Sequence, residues 1–102
     1  MMLVLTSVSN ISEANDLAQK IVREKLAACV QILPPMTSIY FWEGDIKNEP
    51  EHLLFIKTDA AHFDRLEKFI IANHTYDVPE IVALKADSVS ASYLEWLNRY
   101  LT

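Results

Sequence analysis

The alternation of apolar and polar positions divides the first quarter of the chain into a strand and a helix. Met2–Val8 is a continuous apolar, β-prone run, a pattern typical of a strand that is covered on both faces. Asn10 is a residue type that caps helices, and after it apolar residues recur at helical spacing as far as Leu26. We therefore predict a first strand followed by a helix of roughly four turns.

Two prolines interrupt the next apolar stretch. Residues 28–33 predict a second strand, and the strand pattern resumes over residues 37–42. Pro34 and Pro35 lie between these runs and cannot donate a hydrogen bond to a β-ladder. We therefore predict a bend or a bulge at the prolines.

The chain's single glycine, Gly44, follows this aromatic strand. Because glycine reaches positive φ at little steric cost, we predict a tight reversal there. The return strand is predicted in two pieces, residues 45–47 and 52–58, with Pro50 marking a sheet edge or another bulge. Such strands are too long for a small domain to cover, so the protruding hairpin should pair with another chain.

The remaining pattern predicts a helix, a strand and a final helix. Asp59 is placed to cap the second helix, and residues 73–77 predict a loop. Residues 78–84 predict a fourth strand, and Ser90 precedes a strongly apolar last helix. The order β-α-β-β-α-β with a C-terminal helix predicts an α+β, ferredoxin-like fold with an antiparallel sheet. An uncovered sheet face and the hairpin predict a homo-oligomer.

Composition narrows the possible partners and location. The 102 residues predict a single domain, 1–102, and the net charge of −5 argues against a nucleic-acid binder. The single cysteine, Cys29, cannot form an internal disulfide, which suits a reducing compartment. The apolar start lacks a basic region and is too short to span a bilayer or to act as a signal peptide. We expect a cytoplasmic protein without a membrane partner.

Four segments resemble one known family. They are residues 25–32 (KLAACVQI), 38–44 (SIYFWEG), 74–81 (HTYDVPEI) and 93–97 (YLEWL). In order and spacing they are similar to the CutA family of divalent-cation tolerance proteins. The resemblance implies a ferredoxin-like fold, a homotrimer built by edge-to-edge strand pairing, and association with Cu²⁺ or another divalent cation. We expect no tightly bound cofactor.

The histidines and the cysteine are the candidate metal ligands. Some bacterial relatives carry Cys in place of Thr6 and a second His in place of Asn73, so the resemblance keeps only His74 of such a set. His74 lies in a loop, where ligands are often presented, and Cys29 is a weaker candidate that suits a buried packing role. A single imidazole does not make a site, because Zn²⁺ and copper need three or four donors. We expect His52 and His62 to face solvent.

A second candidate site is a cleft between subunits. Its members are polar and aromatic residues at strand ends, all but Lys57 within the matched segments: Tyr40, Trp42, Glu43, Lys57, Tyr76 and Glu80. One interpretation is an interfacial salt bridge between Lys57 and a glutamate, which can fix the register of assembly. The other is a pocket for a small anion, with Lys57 as its charge and the aromatic rings as its walls.

Four functions are compatible with these residues. We predict a trimeric cytosolic protein of divalent-cation tolerance that binds metal without catalysis. The alternative is a trimeric sensor or scaffold that binds a small anionic metabolite. An enzyme using Glu43 or Glu80 with Tyr76 and His74 lacks a nucleophile-plus-base motif and a cofactor fingerprint. A trimer that anchors another protein is the fourth possibility.

Overall fold

A computed structural model describes the whole chain, residues 1–102. Five strands and three helices follow one another as β1 (Met2–Val8), α1 (Ile11–Arg23), β2 (Cys29–Ile32), β3 (Met36–Trp42), β4 (Asp45–Thr58), α2 (Phe63–Asn73), β5 (Val82–Lys85) and α3 (Ala91–Leu101). A single 3₁₀ turn, Ala60–His62, precedes α2. The α+β fold with an antiparallel sheet and a C-terminal helix confirms the predicted fold class.

The two longest-range strand pairings place β4 and β1 at the centre of the sheet. The order is β2-β4-β1-β5, with every pair antiparallel, and β3 pairs only with β4. Val4 pairs with Ile56 on one side and with Ala83 on the other. Since successive side chains of a strand alternate between faces, Val4, Leu54 and Ile56 point to the same side of the sheet. All three are fully buried.

Helices α1 and α2 cover that side of the sheet. The main core consists of apolar residues from both helices and from the inner face of the sheet, with Ile21, Leu66 and Ile70 fully buried. Helix α3 packs elsewhere, with Leu97 and Leu101 against Ala28 in a second, smaller cluster. The opposite face of the sheet therefore keeps apolar side chains exposed.

The prolines produce the predicted bulge. Ile32 pairs with Leu54 at the end of β2, whereas Met36 pairs with Glu51 at the start of β3. Three residues, 33–35, therefore face only two residues of β4, which defines a β-bulge. The Leu33 amide still donates to the Leu53 carbonyl (2.9 Å). Beyond this bulge, β3 continues along the same edge of β4.

Two predictions about strand extent are wrong. β4 is continuous through Pro50, which pairs with Thr37, instead of breaking into two pieces. β5 begins at Val82 and not at residue 78. Pro79 cannot donate to a ladder, and β1 meets β5 only from the Leu5–Val82 pair onward, so residues 78–81 remain outside the sheet.

The predicted capping hydrogen bonds are found at two of three positions. The Asn10 side chain accepts a hydrogen bond from the Glu13 amide (2.8 Å), which caps α1. The Asp59 carboxylate accepts from the His62 amide (3.0 Å), and the chain enters α2 through the 3₁₀ turn. Ser90 occupies the N-cap position of α3, but its side chain makes no capping hydrogen bond.

Part of the molecule's strand edge and apolar surface has no partner within the chain. β1 pairs with β4 only as far as His52, so the edge of β4 over residues 45–51 that faces away from β3 is unpaired. On the hairpin Phe41 and Ile46 are 71% and 76% exposed, and on the open sheet face Leu84 is 49% exposed. No helix combines the length and the apolar character that crossing a membrane requires.

The hairpin turn consists of Glu43 and Gly44, flanked by the Trp42–Asp45 pair. Both turn residues have positive φ, +48° and +85°, as a type I′ turn requires. A Cβ atom at Gly44 would meet no other atom within 4 Å, so only backbone strain opposes a side chain there. Gly44 therefore adopts positive φ at little steric cost, whereas Glu43 adopts it at the cost that a Cβ atom imposes.

We expect the substitutions Gly44→Ala and Glu43→Asn to change stability in opposite directions. Alanine at positive φ should lower the free energy of unfolding by about 1–2 kcal/mol. Asparagine adopts positive φ more readily than glutamate, and Asn-Gly is a preferred type I′ sequence, so Glu43→Asn should raise it. Urea unfolding at one fixed protein concentration measures both changes. Equal stability of Gly44→Ala and the parent would contradict the turn assignment.

Candidate functional site

A cavity of about 510 Å³ lies between the hairpin, the end of β1 and the loop that precedes β5. Three aromatic rings and three carboxylates contribute to its lining: Tyr40, Trp42, Tyr76, Glu51, Asp77 and Glu80. Its size is within the range of small-molecule sites, roughly 300–1,000 Å³. No lysine or arginine lines it.

Strand alternation builds one wall of the cavity. Ser38, Tyr40 and Trp42 are two residues apart on β3, so their side chains share one face of the hairpin. Glu51 of β4 pairs with Met36, two residues before Ser38, and its side chain therefore faces the same way. Because β3 has no other strand partner, this aromatic and acidic wall ends at a strand edge.

Glu51 is the most unusual residue of the cavity. It is 7% exposed and accepts one hydrogen bond, from the Tyr76 hydroxyl (2.6 Å). It takes part in none of the chain's ion pairs. A buried carboxylate without a cationic partner is unfavourable, because neutral donors replace only part of its hydration.

Tyr76 is fixed by hydrogen bonds from its side chain and from its backbone. Its hydroxyl donates to Glu51, and its backbone amide donates to Nδ1 of His74 (3.1 Å). Burial raises the pKa of the Tyr76 hydroxyl above its ordinary value, and the hydrogen bond to Glu51 and the negative charge of Glu51 raise this pKa further. The hydroxyl therefore remains protonated, and a donor, well above neutral pH.

His74 joins the loop to β1. Because Nδ1 accepts from the Tyr76 amide, the ring carries its proton on Nε2 and donates it to the Ser7 carbonyl (2.8 Å). Both ring nitrogens are thus engaged with backbone groups. A metal ion at His74 would have to displace one of these hydrogen bonds. No three of the chain's His, Cys, Asp and Glu side chains converge where a metal ion could be held.

The other predicted ligands are placed apart from His74. Cys29 is a half-buried free thiol on β2, directly opposite Lys57 of β4. His62 lies beside the Asp59 carboxylate, which caps the same turn, and its side chain is only 12% exposed, so the prediction that it faces solvent is wrong. His52 is buried, so the prediction that it faces solvent is wrong: the bulge brings the Leu33 carbonyl within 2.9 Å of its Nδ1.

The structure brings together four of the six predicted cleft residues. Tyr40, Trp42, Tyr76 and Glu80 all line the cavity. Glu43 is in the exposed hairpin turn, and the Lys57 ammonium lies 5.3 Å from the centre of the Tyr93 ring at the other end of β4. Within one chain, therefore, the cavity lacks the positive charge that the anion-pocket interpretation requires. The gathering of all six in a cleft between subunits stays a prediction.

Sequence reasoning missed Glu51. It stands between Pro50 and His52 in what resembles an exposed strand. The strand period counted from Trp42 across the turn would have placed it on the aromatic face of the hairpin. No local signal indicates its contact with Tyr76, which is 25 residues away in sequence.

Comparison with known proteins agrees with this architecture. Ferredoxin-like α+β chains with this element order include the CutA1 structure from Oryza sativa, which superimposes with a TM-score of 0.96 at 42% identity and covers 99% of this chain and 93% of that one. The family model described as "CutA1 divalent ion tolerance protein" matches residues 2–100. The chain belongs to the CutA family.

Individual relatives differ in length. The "Divalent-cation tolerance protein CutA" of Thermus thermophilus is 43% identical over 95 residues, which are 93% of this chain and 92% of that protein. "Protein CutA, chloroplastic" of Arabidopsis thaliana is 46% identical over 95 residues. This chain spans about half the length of that plant relative, 52%, and of its rice counterpart, 54%.

The raised pKa of Tyr76 predicts a loss of stability in alkali. An unfolded tyrosine releases its proton near pH 10.0, whereas folded Tyr76 holds it to higher pH. The stabilisation is therefore complete below about pH 10 and is lost as the pH rises above it. We expect the free energy of unfolding to fall less steeply between about pH 9 and 11 in Tyr76→Phe than in the parent.

Urea unfolding across that pH range measures the slopes. Tyr93→Phe is the matched control, because Tyr93 stacks near Trp96 on α3 and does not line the cavity. It should keep the slope of the parent. Identical slopes for Tyr76→Phe and the parent would show that Tyr76 does not retain its proton in the folded chain.

Proposed function

We propose that this chain is a homotrimeric protein of divalent-cation tolerance that binds Cu²⁺ or another divalent cation reversibly and without catalysis. The observation that carries the proposal is membership of the family whose model is described as "CutA1 divalent ion tolerance protein". The acidic lining of the cavity, which contains no basic residue, and the net charge of −5 support it. An acidic surface raises the local concentration of cations.

The expected metal binding is weak. Carboxylate and hydroxyl oxygens are hard ligands that suit labile binding, and the cavity offers them from three separate segments: Ser7 of β1, Glu51 of β4, and Asp77 with Glu80 in the loop. His74 does not line the cavity itself, and it would supply a nitrogen ligand only after losing one of its two hydrogen bonds. Water would complete the coordination shell. These features support a metal as cargo in exchange with solvent.

The alternative, a trimeric sensor or scaffold for a small anionic metabolite, has less support. The cavity lining contains no lysine or arginine, and Lys57 lies beside Tyr93 instead. Catalysis by Tyr76 and His74 has little support as well, since both side chains are already engaged in hydrogen bonds. The single cysteine supports a reducing, cytoplasmic location.

An unpaired strand edge and exposed apolar side chains of the chain support the trimer. An unpaired strand edge such as residues 45–51 of β4 is a template for pairing with another chain. The open sheet face exposes Val82 and Leu84, and Trp96 of α3 is also about half exposed. Large apolar side chains left exposed in this way are typical of a protein interface.

We expect sedimentation velocity at low micromolar concentration to give a trimer for the parent chain. Leu84→Asp should shift the population toward monomer, because it would bury an unpaired carboxylate in the interface. Ile71→Asp is the matched control, since Ile71 is similarly exposed, at 57%, but lies on α2. A monomeric parent, or equal sedimentation of the two variants, would contradict this mode of assembly.

We expect calorimetry to detect Cu²⁺ binding that a chelator reverses. His74→Ala should lower the affinity if His74 supplies a ligand, because His74 contacts Tyr76 of the cavity lining. His62→Ala removes an imidazole that lies beside Asp59 and should leave the affinity unchanged. An affinity that is the same in both variants and the parent would exclude His74 as a ligand. Absence of any heat with Cu²⁺ or Zn²⁺ would contradict the proposed metal binding.

A further inference from the structure

The cavity combines a buried carboxylate with aromatic rings, a combination that favours binding of an organic cation. Glu51 is only 7% exposed, accepts one neutral hydrogen bond and has no ion-pair partner in the chain. Aromatic rings of Tyr40 and Trp42 line the same cavity. We propose that the cavity binds an organic ammonium ion, with Glu51 as its counter-charge and the aromatic side chains as its cation–π surface.

This inference goes beyond the proposed function and does not rest on it, because the ligand is an organic cation and not a metal. An alkylammonium ion spreads its positive charge over several methyl or methylene groups. Aromatic faces within about 6 Å of the ion attract this charge. The ion holds its surrounding water loosely, so it enters such a site without needing oxygen ligands in place of that water. The buried carboxylate of Glu51 then supplies the charge balance, whereas the other two carboxylates of the lining, Asp77 and Glu80, are exposed to solvent.

The same cavity fits a metal ion less well. Divalent cations such as Ca²⁺ and Mg²⁺ need about six or more oxygens at roughly 2.0–2.6 Å. The carboxylates of Glu51, Asp77 and Glu80 do not converge on one point. A volume of about 510 Å³ lined in part by aromatic and aliphatic side chains also exceeds what a hydrated metal ion uses.

The charges around the cavity favour a cation from every side. Asp77 and Glu80 belong to the loop that faces the hairpin. On the hairpin, Lys47 pairs with Tyr40 and shares its face, but it does not line the cavity, and Asp45 and Glu49 flank it along β4. The single positive charge on this face is therefore outnumbered, and it leaves Glu51 unpaired.

Choline and its neutral isostere 3,3-dimethyl-1-butanol test the proposal, because the two have the same shape and differ in charge. Calorimetry on the full chain in its native assembly should detect choline and give at least a tenfold weaker response to the isostere. Glu51→Gln keeps an oxygen that accepts from Tyr76 but removes the charge, and it should lower choline affinity at least tenfold. Trp42→Leu should lower it as well.

Glu95→Gln is the control variant, since Glu95 pairs with Arg99 on the exposed surface of α3. It should bind choline like the parent. The proposal is overturned if choline does not bind, if the isostere binds equally, or if Glu51→Gln leaves choline affinity unchanged. It is also overturned if Glu51→Gln changes the sedimenting mass without any choline binding, because a basic residue of a second copy would then be the partner of Glu51.

The outcome is separable from that of the metal experiment. Choline binding without Cu²⁺ binding would support this inference and contradict the proposed metal binding. Cu²⁺ binding that is lost in Glu51→Gln, with no response to choline, would do the reverse and identify Glu51 as a metal ligand.

Discussion

The length of β4 relative to its neighbours shapes the rest of the molecule. β1 runs alongside β4 only over residues 52–58, where the sheet lies against α1 and α2 and the core forms. Over residues 45–51 the strand has β3 as its one partner. A two-stranded ribbon is marginally stable by itself, because it lacks a covered face. The hairpin consequently depends on contacts made at its base.

Those contacts form a short polar chain from the hairpin to the sheet. Glu51 accepts from the Tyr76 hydroxyl, the Tyr76 amide donates to His74, and His74 donates to the Ser7 carbonyl at the end of β1. These hydrogen bonds also determine where the protons of Tyr76 and His74 lie. The peptide amide selects the Nε2-protonated form of His74, and Glu51 retains the proton on Tyr76. The loop that carries one wall of the cavity is thereby positioned relative to the strand that carries the other.

Features that depend on neighbouring residues could be predicted from the sequence. The cap by Asn10 follows from a side chain that can accept a backbone hydrogen bond. The turn at Gly44 and the bulge at Pro34 follow from the backbone conformations that glycine and proline allow. Glu51 and Lys57 could not be placed in this way. Their surroundings depend on strand register and on loop contacts far along the chain, which put the carboxylate beside Tyr76 and the ammonium beside Tyr93. The anion-pocket interpretation of the cleft between subunits stays a prediction, because within one chain the Lys57 ammonium lies away from the cavity.

This geometry would couple the proposed assembly to the proposed ligand binding. The aromatic wall of the cavity is a hairpin whose outer edge is unpaired, and its inner end is tied to the loop through Glu51 and Tyr76. Pairing that edge with a second chain would order the wall, and a cation at Glu51 would remove the unfavourable charge from its base. Two events that each stabilise the same conformation of the hairpin reinforce one another by mass action. A ligand of the cavity should therefore favour the assembled form even without touching another subunit.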